Sequence, residues 1–200
     1  ATKPHAGITY FLVDMRSEGI DIRPLRELTG EAMFNEVFLD NVFVPDECVV
    51  GEVNGGWKLA VTTLANERVA MAGTALDKSV ERAIALAAES GDPVTAVAVG
   101  KQVALATATK LLAMRATLRS VSGQGPGPES SVAKLVGVRS RQDSAELVVE
   151  LLGHRLFTDD KVAEEAMYEF LKDRCLSIDG GTTQILRNVA GERLLVLPRG

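Results

Sequence analysis

Residues that bind metals or cross-link chains are scarce in this sequence. Its 200 residues include only 2 cysteines and 2 histidines. Cys48 and Cys175 are far apart and follow no recognisable spacing pattern, which indicates two reduced, partly buried thiols. His5 and His154 are isolated as well, so the sequence predicts no metal site.

Excess positive charge and long hydrophobic runs are also lacking. A formal net charge of −5 and a pI near 5.2 give no electrostatic reason to expect nucleic acid or an anionic membrane as a partner. No uninterrupted run of about 18 apolar residues occurs, and the N-terminal segment alternates in polarity. We therefore expect no membrane span, no signal peptide and a cytoplasmic location. The hydrophobic content of 46% is nevertheless enough for a sizeable core.

The first quarter of the chain has the pattern of β-strands. Residues 8–14 ("ITYFLVD") are rich in β-branched and aromatic side chains, and residues 19–25 and 35–45 alternate between apolar and polar side chains. Turn-forming residues separate these three predicted strands. Three such strands cannot cover both of their faces, so we interpret residues 1–52 as part of a larger antiparallel β-domain.

Beyond residue 52 the pattern changes to helices joined by short loops. Apolar side chains recur at helical spacing, without internal proline, in several consecutive stretches. The predicted helices cover residues 57–89, 94–120, 130–152, 159–171, and the segment from Thr182 or Thr183 to just before Pro198. The Gly/Pro-rich segment 122–129 is a connector. The predicted fold class is α+β, with a partial antiparallel β-domain followed by an up-and-down helical bundle over residues 53–200.

The segment "LSIDGGTTQILRN" (176–188) is the first candidate for a functional site. Gly180 and Gly181 bend the chain just before a natural N-cap at Thr182. The start of a helix presents free backbone N–H groups and a weakly positive end, which suits a carbonyl, a phosphate or the edge of a flavin. The only carboxylate of the segment is Asp179. Which residue would handle protons at such a site is left open.

A carboxylate on the first predicted helix is the second candidate. Glu67 and Arg68 lie in a stretch of small and apolar residues, "TTLANERVAMAG" (62–73). One interpretation is that both are solvated charges on an exposed helix face. The other is that Glu67 lies on an apolar wall, where desolvation makes a carboxylate a usable general base.

Paired arginines form a third group of candidates. We interpret them as ion-pair partners at the surface rather than as phosphate clamps. They are Arg115 with Arg119, Arg139 with Arg141, and Arg187 with Arg193. No segment matches a phosphate-binding glycine loop or a nucleophile elbow.

Three long segments together resemble the C-terminal half of an acyl-CoA dehydrogenase. The segment "GITYFLVDMRSEGIDIRPL" (7–25) is similar to strands of the family's middle β-domain. The segment "NEVFLDNVFVPDECVVGEVNGGWKLAVTTLANERVAMAG" (35–73) resembles the passage into the first long helix of its C-terminal domain, and "YEFLKDRCLSIDGGTTQILRNVAGERLLVLPR" (168–199) resembles its final loop and helix. The resemblance covers nearly the whole chain. It implies that residues 1–52 end the middle domain and that residues 53–200 form the C-terminal helical domain.

The resemblance implies a flavoprotein oxidoreductase of lipid metabolism. In such enzymes a base takes the α-proton of an acyl-CoA thioester while the β-hydride passes to FAD, which yields a trans-2-enoyl-CoA. Hydrogen bonds must polarise the thioester carbonyl as negative charge develops on its oxygen. An electron-transfer partner then reoxidises the flavin.

The resemblance also assigns roles to individual residues. In many members the base stands immediately before the Gly-Thr of the last loop, where this chain has Gly180. In a smaller set the base stands on the first long helix, at the position matched by Glu67, which makes Glu67 the predicted base. Arg68 matches an arginine that supports substrate binding. The residues that match flavin contacts are Gly181, Thr182 and Gln184.

Two family motifs are missing. The stretch "AAESGDP" (87–93) stands where the family has RxxFG, and "ELLGHRLF" (150–157) stands where it has QxxGGxG. Both motifs would serve the FAD of a neighbouring subunit, whereas Glu67 and the turn before the last helix serve this chain's own site. This asymmetry resembles the heteromeric acyl-CoA dehydrogenases of actinobacterial sterol breakdown, which are tetramers of two unlike subunits. It implies a base-bearing subunit that acts on a steroid-side-chain CoA ester.

Two other interpretations are open. The chain could be a non-catalytic assembly subunit whose diverged loops no longer bind FAD. It could also pass electrons to oxygen, as an acyl-CoA oxidase does. Turnover after a Glu67→Gln change distinguishes the first from the dehydrogenase, and oxygen consumption without an electron-transfer partner would reveal the second.

Overall fold

The computed structural model describes residues 3–71, 77–124 and 127–198, and the side chains of residues 68–71 and 120 lie outside the described part. The chain forms two compact units, Ala1–Leu64 and Ala65–Gly200. The predicted domain boundary after residue 52 stays a prediction.

The first unit contains four short strands among its described residues. They form two antiparallel pairs, each a separate two-stranded sheet. The pairs are β1 (Tyr10–Phe11) with β4 (Val49–Val50), and β2 (Ile20–Leu25) with β3 (Phe34–Leu39). Every residue of β3 is exposed, so this unit leaves apolar strand faces uncovered, as expected for part of a larger β-domain.

Two of the three strand predictions need correction. The strand predicted over residues 8–14 is regular only at Tyr10–Phe11, and the one predicted over 35–45 ends at Leu39. The chain turns at Asn41, which has a φ of 50°. Next to this turn the N–H of Asp40 donates to the carbonyl of Gly19 at 2.8 Å. A Cβ atom at Gly19 would lie 2.1 Å from the Asp40 carbonyl oxygen, so only glycine permits this close approach.

Six helices follow the strands in the described part of the chain. Their bounds are α1 Gly56–Met71, α2 Lys78–Ser90, α3 Pro93–Val121, α4 Glu129–Leu152, α5 Lys161–Lys172 and α6 Thr183–Arg193. The single helix predicted over residues 57–89 is wrong, because a new helix begins after Asp77. The Asp77 side chain accepts a hydrogen bond from the N–H of Ser79 and caps α2. The connection between α1 and α2, residues 72–76, lies outside the described residues.

The second unit is organised around α4, which packs against α2, α3, α5 and α6. Alanines at the contacts let the helices approach closely, and larger side chains fill the remaining space. The core includes Ala83, Leu86, Val99, Leu147, Val148, Leu152, Ala163 and Ala166. Because α4 contacts both the core helices and α6, it fixes α6 relative to the rest of the bundle.

The outer face of α3 is apolar. Leu111, Met114 and Leu118 follow one another at helical spacing and are 61%, 55% and 60% exposed. Over Pro93–Arg119 this helix is long and apolar enough, by length and composition, to cross a membrane. A helix covered by another protein chain meets the same requirement, and the expectation of no membrane span stays a prediction.

Candidate active site

The turn before α6 has the geometry that the sequence indicates. Gly180 and Gly181 both have positive φ, 58° and 107°, a region that glycine occupies without strain. Thr182 is the N-cap of α6, and its hydroxyl accepts a hydrogen bond from the N–H of Ile185 at 3.2 Å. The predicted N-cap is therefore confirmed. The turn brings Gly181, Thr182 and the exposed Gln184 together at one helix start.

A buried lysine on α4 holds this turn, and sequence reasoning did not identify it. Lys134 is only 2% exposed. Its Nζ donates to the carbonyl of Asp179 and, at 2.7 Å, to the carbonyl of Gly181. The signal in the sequence is a lysine inside an otherwise uncharged helical stretch, "SSVAKLVG" (130–137). Lysine is almost never fully buried without hydrogen-bonding partners.

Gln142, two turns further along α4, holds the segment that leads into the turn. Its Nε2 donates to the carbonyl of Asp173 at 2.8 Å and to the hydroxyl of Ser177 at 2.9 Å. In return the Arg174 guanidinium donates to the Gln142 carbonyl at 3.3 Å. The Thr183 hydroxyl donates to the Ser177 carbonyl at 3.3 Å. The approach to the turn is therefore fixed to α4 and to the first residue of α6.

A buried carboxyl group lies at the start of the same segment. The side chain of Asp173 is 2% exposed, and the Arg141 guanidinium lies 3.4 Å from its carboxylate. Neither carboxylate oxygen accepts a hydrogen bond within the described part of the chain. Burial raises the pKa of Asp173 to about 6, and the negative charge of Asp77 acts in the same direction against the lowering effect of Arg141.

The predicted base lies on a different helix from the turn. Glu67 is exposed near the end of α1. The backbone of Arg68 belongs to the same helix, and its side chain lies outside the described residues. The assignments of Glu67 as base and of Arg68 as substrate support stay predictions.

Three of the six arginines in these pairs form ion pairs within the described part of the chain, as the sequence indicates. Arg139 binds Asp143 one helical turn away at 2.8 Å, and Arg119 binds Glu129 at 2.7 Å. Arg141 faces the buried Asp173. These charges are thus neutralised within the chain, which favours the ion-pair interpretation over a phosphate clamp.

The two segments that depart from the family motifs are joined by an ion pair. Arg155, in the 150–157 segment, lies 3.6 Å from Glu89 in the 87–93 segment. The same guanidinium binds Asp160 at 2.7 Å. The hydrogen bond from Arg155 lowers the pKa of Asp160, so the pair is charged at neutral pH. Arg155 therefore forms its ion pairs with carboxylates of its own chain.

The start of α6 carries groups that fit a flavin. The isoalloxazine ring system offers nitrogen and oxygen acceptors along its edge, and a helix start offers N–H donors. The Gln184 amide and the Thr182 and Thr183 hydroxyl groups add polar groups beside these donors. The residues present here therefore suit the ring portion of FAD, whereas the 87–93 and 150–157 segments lack the family's usual contacts to its adenosine portion.

Comparison with known proteins identifies the family. Residues 54–195 match the model of the acyl-CoA dehydrogenase C-terminal domain, so the chain belongs to the acyl-CoA dehydrogenase family. Over 200 residues it is 56% identical to the acyl-CoA dehydrogenase FadE34 of Mycobacterium tuberculosis. This alignment covers 98% of this chain and 27% of FadE34. It is 32% identical to the acyl-CoA dehydrogenase IpdE1 of Mycolicibacterium smegmatis, over 99% of this chain and 51% of IpdE1. The chain therefore spans only part of the length of these relatives.

Solved structures share the fold. A structure described as "Tcur3481-Tcur3483 steroid ACAD" superposes with a TM-score of 0.86 at 25% identity, over 100% of this chain and 55% of that chain. The ChsE4-ChsE5 complex from Mycobacterium tuberculosis gives a TM-score of 0.83 at 25% identity, over 100% of this chain and 56% of that chain. These matches confirm the predicted α+β fold class and the resemblance on which the sequence interpretation depends.

Proposed function

We propose that this chain is the C-terminal half of an FAD-dependent enzyme that converts an acyl-CoA thioester to the trans-2-enoyl-CoA, with Glu67 as the base. Family membership supports the reaction class. The observation that carries the choice of base is Gly180: the position before Gly181 has no side chain, and its φ of 58° suits glycine. Position 180 therefore offers no proton acceptor, and Glu67 is the carboxylate on the first helix of the bundle.

Each group of the chain has a task in this reaction. Glu67 removes the α-proton of the thioester. Backbone N–H groups at the turn before α6 donate to the thioester carbonyl, whose oxygen gains negative charge as the proton leaves. Arg68 supports the bound CoA ester, and Gly181, Thr182 and Gln184 contact the flavin. When bound, FAD supplies the acceptor for the hydride from the β-carbon.

The proposed substrate is a CoA ester with a bulky, steroid-derived acyl group. Two similar structures are described as a steroid acyl-CoA dehydrogenase and as the ChsE4-ChsE5 complex. The small residues around Glu67, such as Ala65, would leave room for a wide acyl group. The proposed location of the enzyme is the cytoplasm.

The proposed assembly is a heteromeric tetramer with a second acyl-CoA dehydrogenase subunit. The 87–93 and 150–157 segments lack the family motifs, and Arg155 joins them through an ion pair to Glu89. The partner subunit would supply the missing contacts to the adenosine portion of FAD. An electron-transfer partner would accept the electrons from the assembled enzyme.

Purification of the complete protein with and without its partner tests this proposal. We expect FAD to remain bound and acyl-CoA to be dehydrogenated only when both subunits are present, because each subunit supplies part of the FAD site. The measurements are flavin absorbance per subunit after gel filtration and reduction of an artificial electron acceptor. Tight FAD binding and turnover by the protein alone would contradict the heteromeric assembly.

The apolar face of α3 is a candidate contact for assembly. Replacing Leu111 or Leu118 with glutamate is expected to weaken subunit association, since each buried leucine contributes about 1.5–3 kcal/mol. Light scattering on the purified complex should show a shift from the assembled mass toward single chains. Lys161→Glu, an exposed change on α5, is the control and should leave the mass unchanged. An unaltered mass in both leucine variants would show that α3 faces solvent in the assembly.

The alternative is a non-catalytic assembly subunit of a heteromeric acyl-CoA dehydrogenase. The ion pair between the 87–93 and 150–157 segments favours this alternative. In a subunit that does not bind flavin, these segments can form contacts within their own chain. In that case the partner subunit would supply a complete set of reacting groups. Turnover of a complex that carries Glu67→Gln separates the two functions.

A further inference from the structure

The carbonyl groups on both sides of Gly180 converge on one buried cation. Lys134 Nζ donates to the carbonyls of Asp179 and Gly181, the second at 2.7 Å. Lys134 extends from the middle of the bundle, since α4 packs against four other helices. Gly180 and Gly181 place no Cβ in the turn, and glycine peptides rotate more freely than others. The conformation of this turn is therefore held by a side chain of α4 and not by side chains of the turn itself.

Binding of these carbonyls determines where two N–H groups point. A trans peptide is planar, and its C=O and N–H bonds point in opposite directions. All peptides of the described chain are trans. The Asp179 carbonyl shares its peptide with the Gly180 N–H, and the Gly181 carbonyl shares its peptide with the Thr182 N–H. Because Lys134 binds both carbonyls, both N–H groups are directed away from the bundle interior.

We propose that Lys134 is a positioning residue for the thioester carbonyl. Its ammonium group orients the Gly180 and Thr182 N–H groups, and its charge polarises both peptides so that these N–H groups become stronger donors. Lys134 itself stays on the far side of the turn from the ligand. This inference rests on the proposed function, because it assumes that an acyl-CoA carbonyl is the acceptor.

A comparison of two unreactive ligands tests the proposal in the complete protein, assembled with its partner. One ligand is a trans-2-enoyl-CoA, which has the thioester carbonyl, and the other is an S-alkyl-CoA thioether of equal chain length, which lacks it. Lys134→Met is expected to weaken binding of the enoyl-CoA about tenfold and to leave binding of the thioether nearly unchanged. Lys134→Arg, which keeps a buried cation with several donors, is expected to restore part of the loss. The control is Lys101→Met, at an exposed lysine on α3, which should bind both ligands as the wild type does.

Hydrogen exchange supplies a readout that does not depend on flavin or activity. The segment 178–184 is expected to exchange faster in Lys134→Met than in the wild type, because its two anchoring bonds are lost. If Lys134→Met does not fold, Lys134→Gln serves instead: it keeps a donor for the carbonyls but has no charge, and it should lose enoyl-CoA affinity selectively by a smaller factor. Equal losses for both ligands, or no loss for either, would overturn the positioning role. If the wild type binds neither ligand, the proposed function fails, whereas unchanged exchange in the 178–184 segment counts against Lys134 alone.

Discussion

Replacing Glu67 with glutamine is expected to reduce turnover of the assembled enzyme by about 10²–10⁴-fold. Glutamine has the shape of glutamate, but its amide cannot accept the α-proton of the thioester. The fold and the flavin content should be unaffected, because Glu67 is exposed on α1 in the single chain and its replacement leaves no buried group unpaired. Steady-state turnover with an artificial electron acceptor measures the effect.

Exchange of the substrate's α-hydrogens with deuterated water reports on the base more directly. It requires proton removal without completion of the redox step, so Glu67→Gln should suppress the exchange together with turnover. Glu81→Gln, at an exposed glutamate on α2, is the matched control and should change neither rate by more than a few fold. If Glu67→Gln also leaves both rates intact, the non-catalytic interpretation of this subunit is correct.

Replacing Asp173 with asparagine is expected to stabilise the bundle at neutral pH relative to acidic pH. Burial raises the pKa of Asp173 from 3.8 to about 6, so the folded protein binds this proton more tightly than the unfolded chain does. Asp173 therefore does not lower the free energy of unfolding below pH 3.8, where it is protonated in both states. The free energy of unfolding falls as the pH rises from 3.8 to about 6. Above this range the full loss remains, and it corresponds to about 3 kcal/mol.

Chemical unfolding at about pH 4 and about pH 7 measures this difference. The free energy of unfolding of Asp173→Asn, relative to wild type, should rise between the two pH values by up to about 3 kcal/mol. Asp92→Asn is a control of opposite sign: the Thr95 hydroxyl, followed by the Thr95 and Val94 N–H groups, lowers the pKa of Asp92. That variant should lose stability as the pH rises. A pH-independent effect of Asp173→Asn would show that Asp173 is ionised in the folded protein as readily as in the unfolded chain.

The Asp173 experiment concerns a segment that side chains of α4 hold in place. Lys134, Arg141 and Gln142 all project from α4 toward the segment between α5 and α6, and they bind its carbonyls and its buried carboxyl group. A loop with two consecutive glycines would otherwise lose much conformational entropy on becoming ordered. Hydrogen bonds from α4 side chains offset this cost in the folded protein, because they bind the loop before the glycines and at Gly181.

The sequence was sufficient for the local features of this protein. Apolar spacing predicted most of the helices, since a helical face repeats every 3.6 residues whatever it packs against. The Gly180–Gly181 bend and the Thr182 cap were also predictable, because positive φ and N-capping depend on neighbouring residues only. The break between α1 and α2 was missed, since no proline interrupts residues 57–89 and apolar residues continue at helical spacing beyond the N-cap at Asp77.

The tertiary structure alone revealed how the turn before α6 is held. Lys134 is far from Asp179 and Gly181 in the sequence, and no local pattern predicts which carbonyls a buried ammonium group binds. The raised pKa of Asp173 has the same origin, because burial is a property of the packed bundle and not of the residues next to it in the chain. Short-range preferences thus determined the helices and the bend, whereas the packing of α4 against its neighbours decided which charges became buried and what they hold in place.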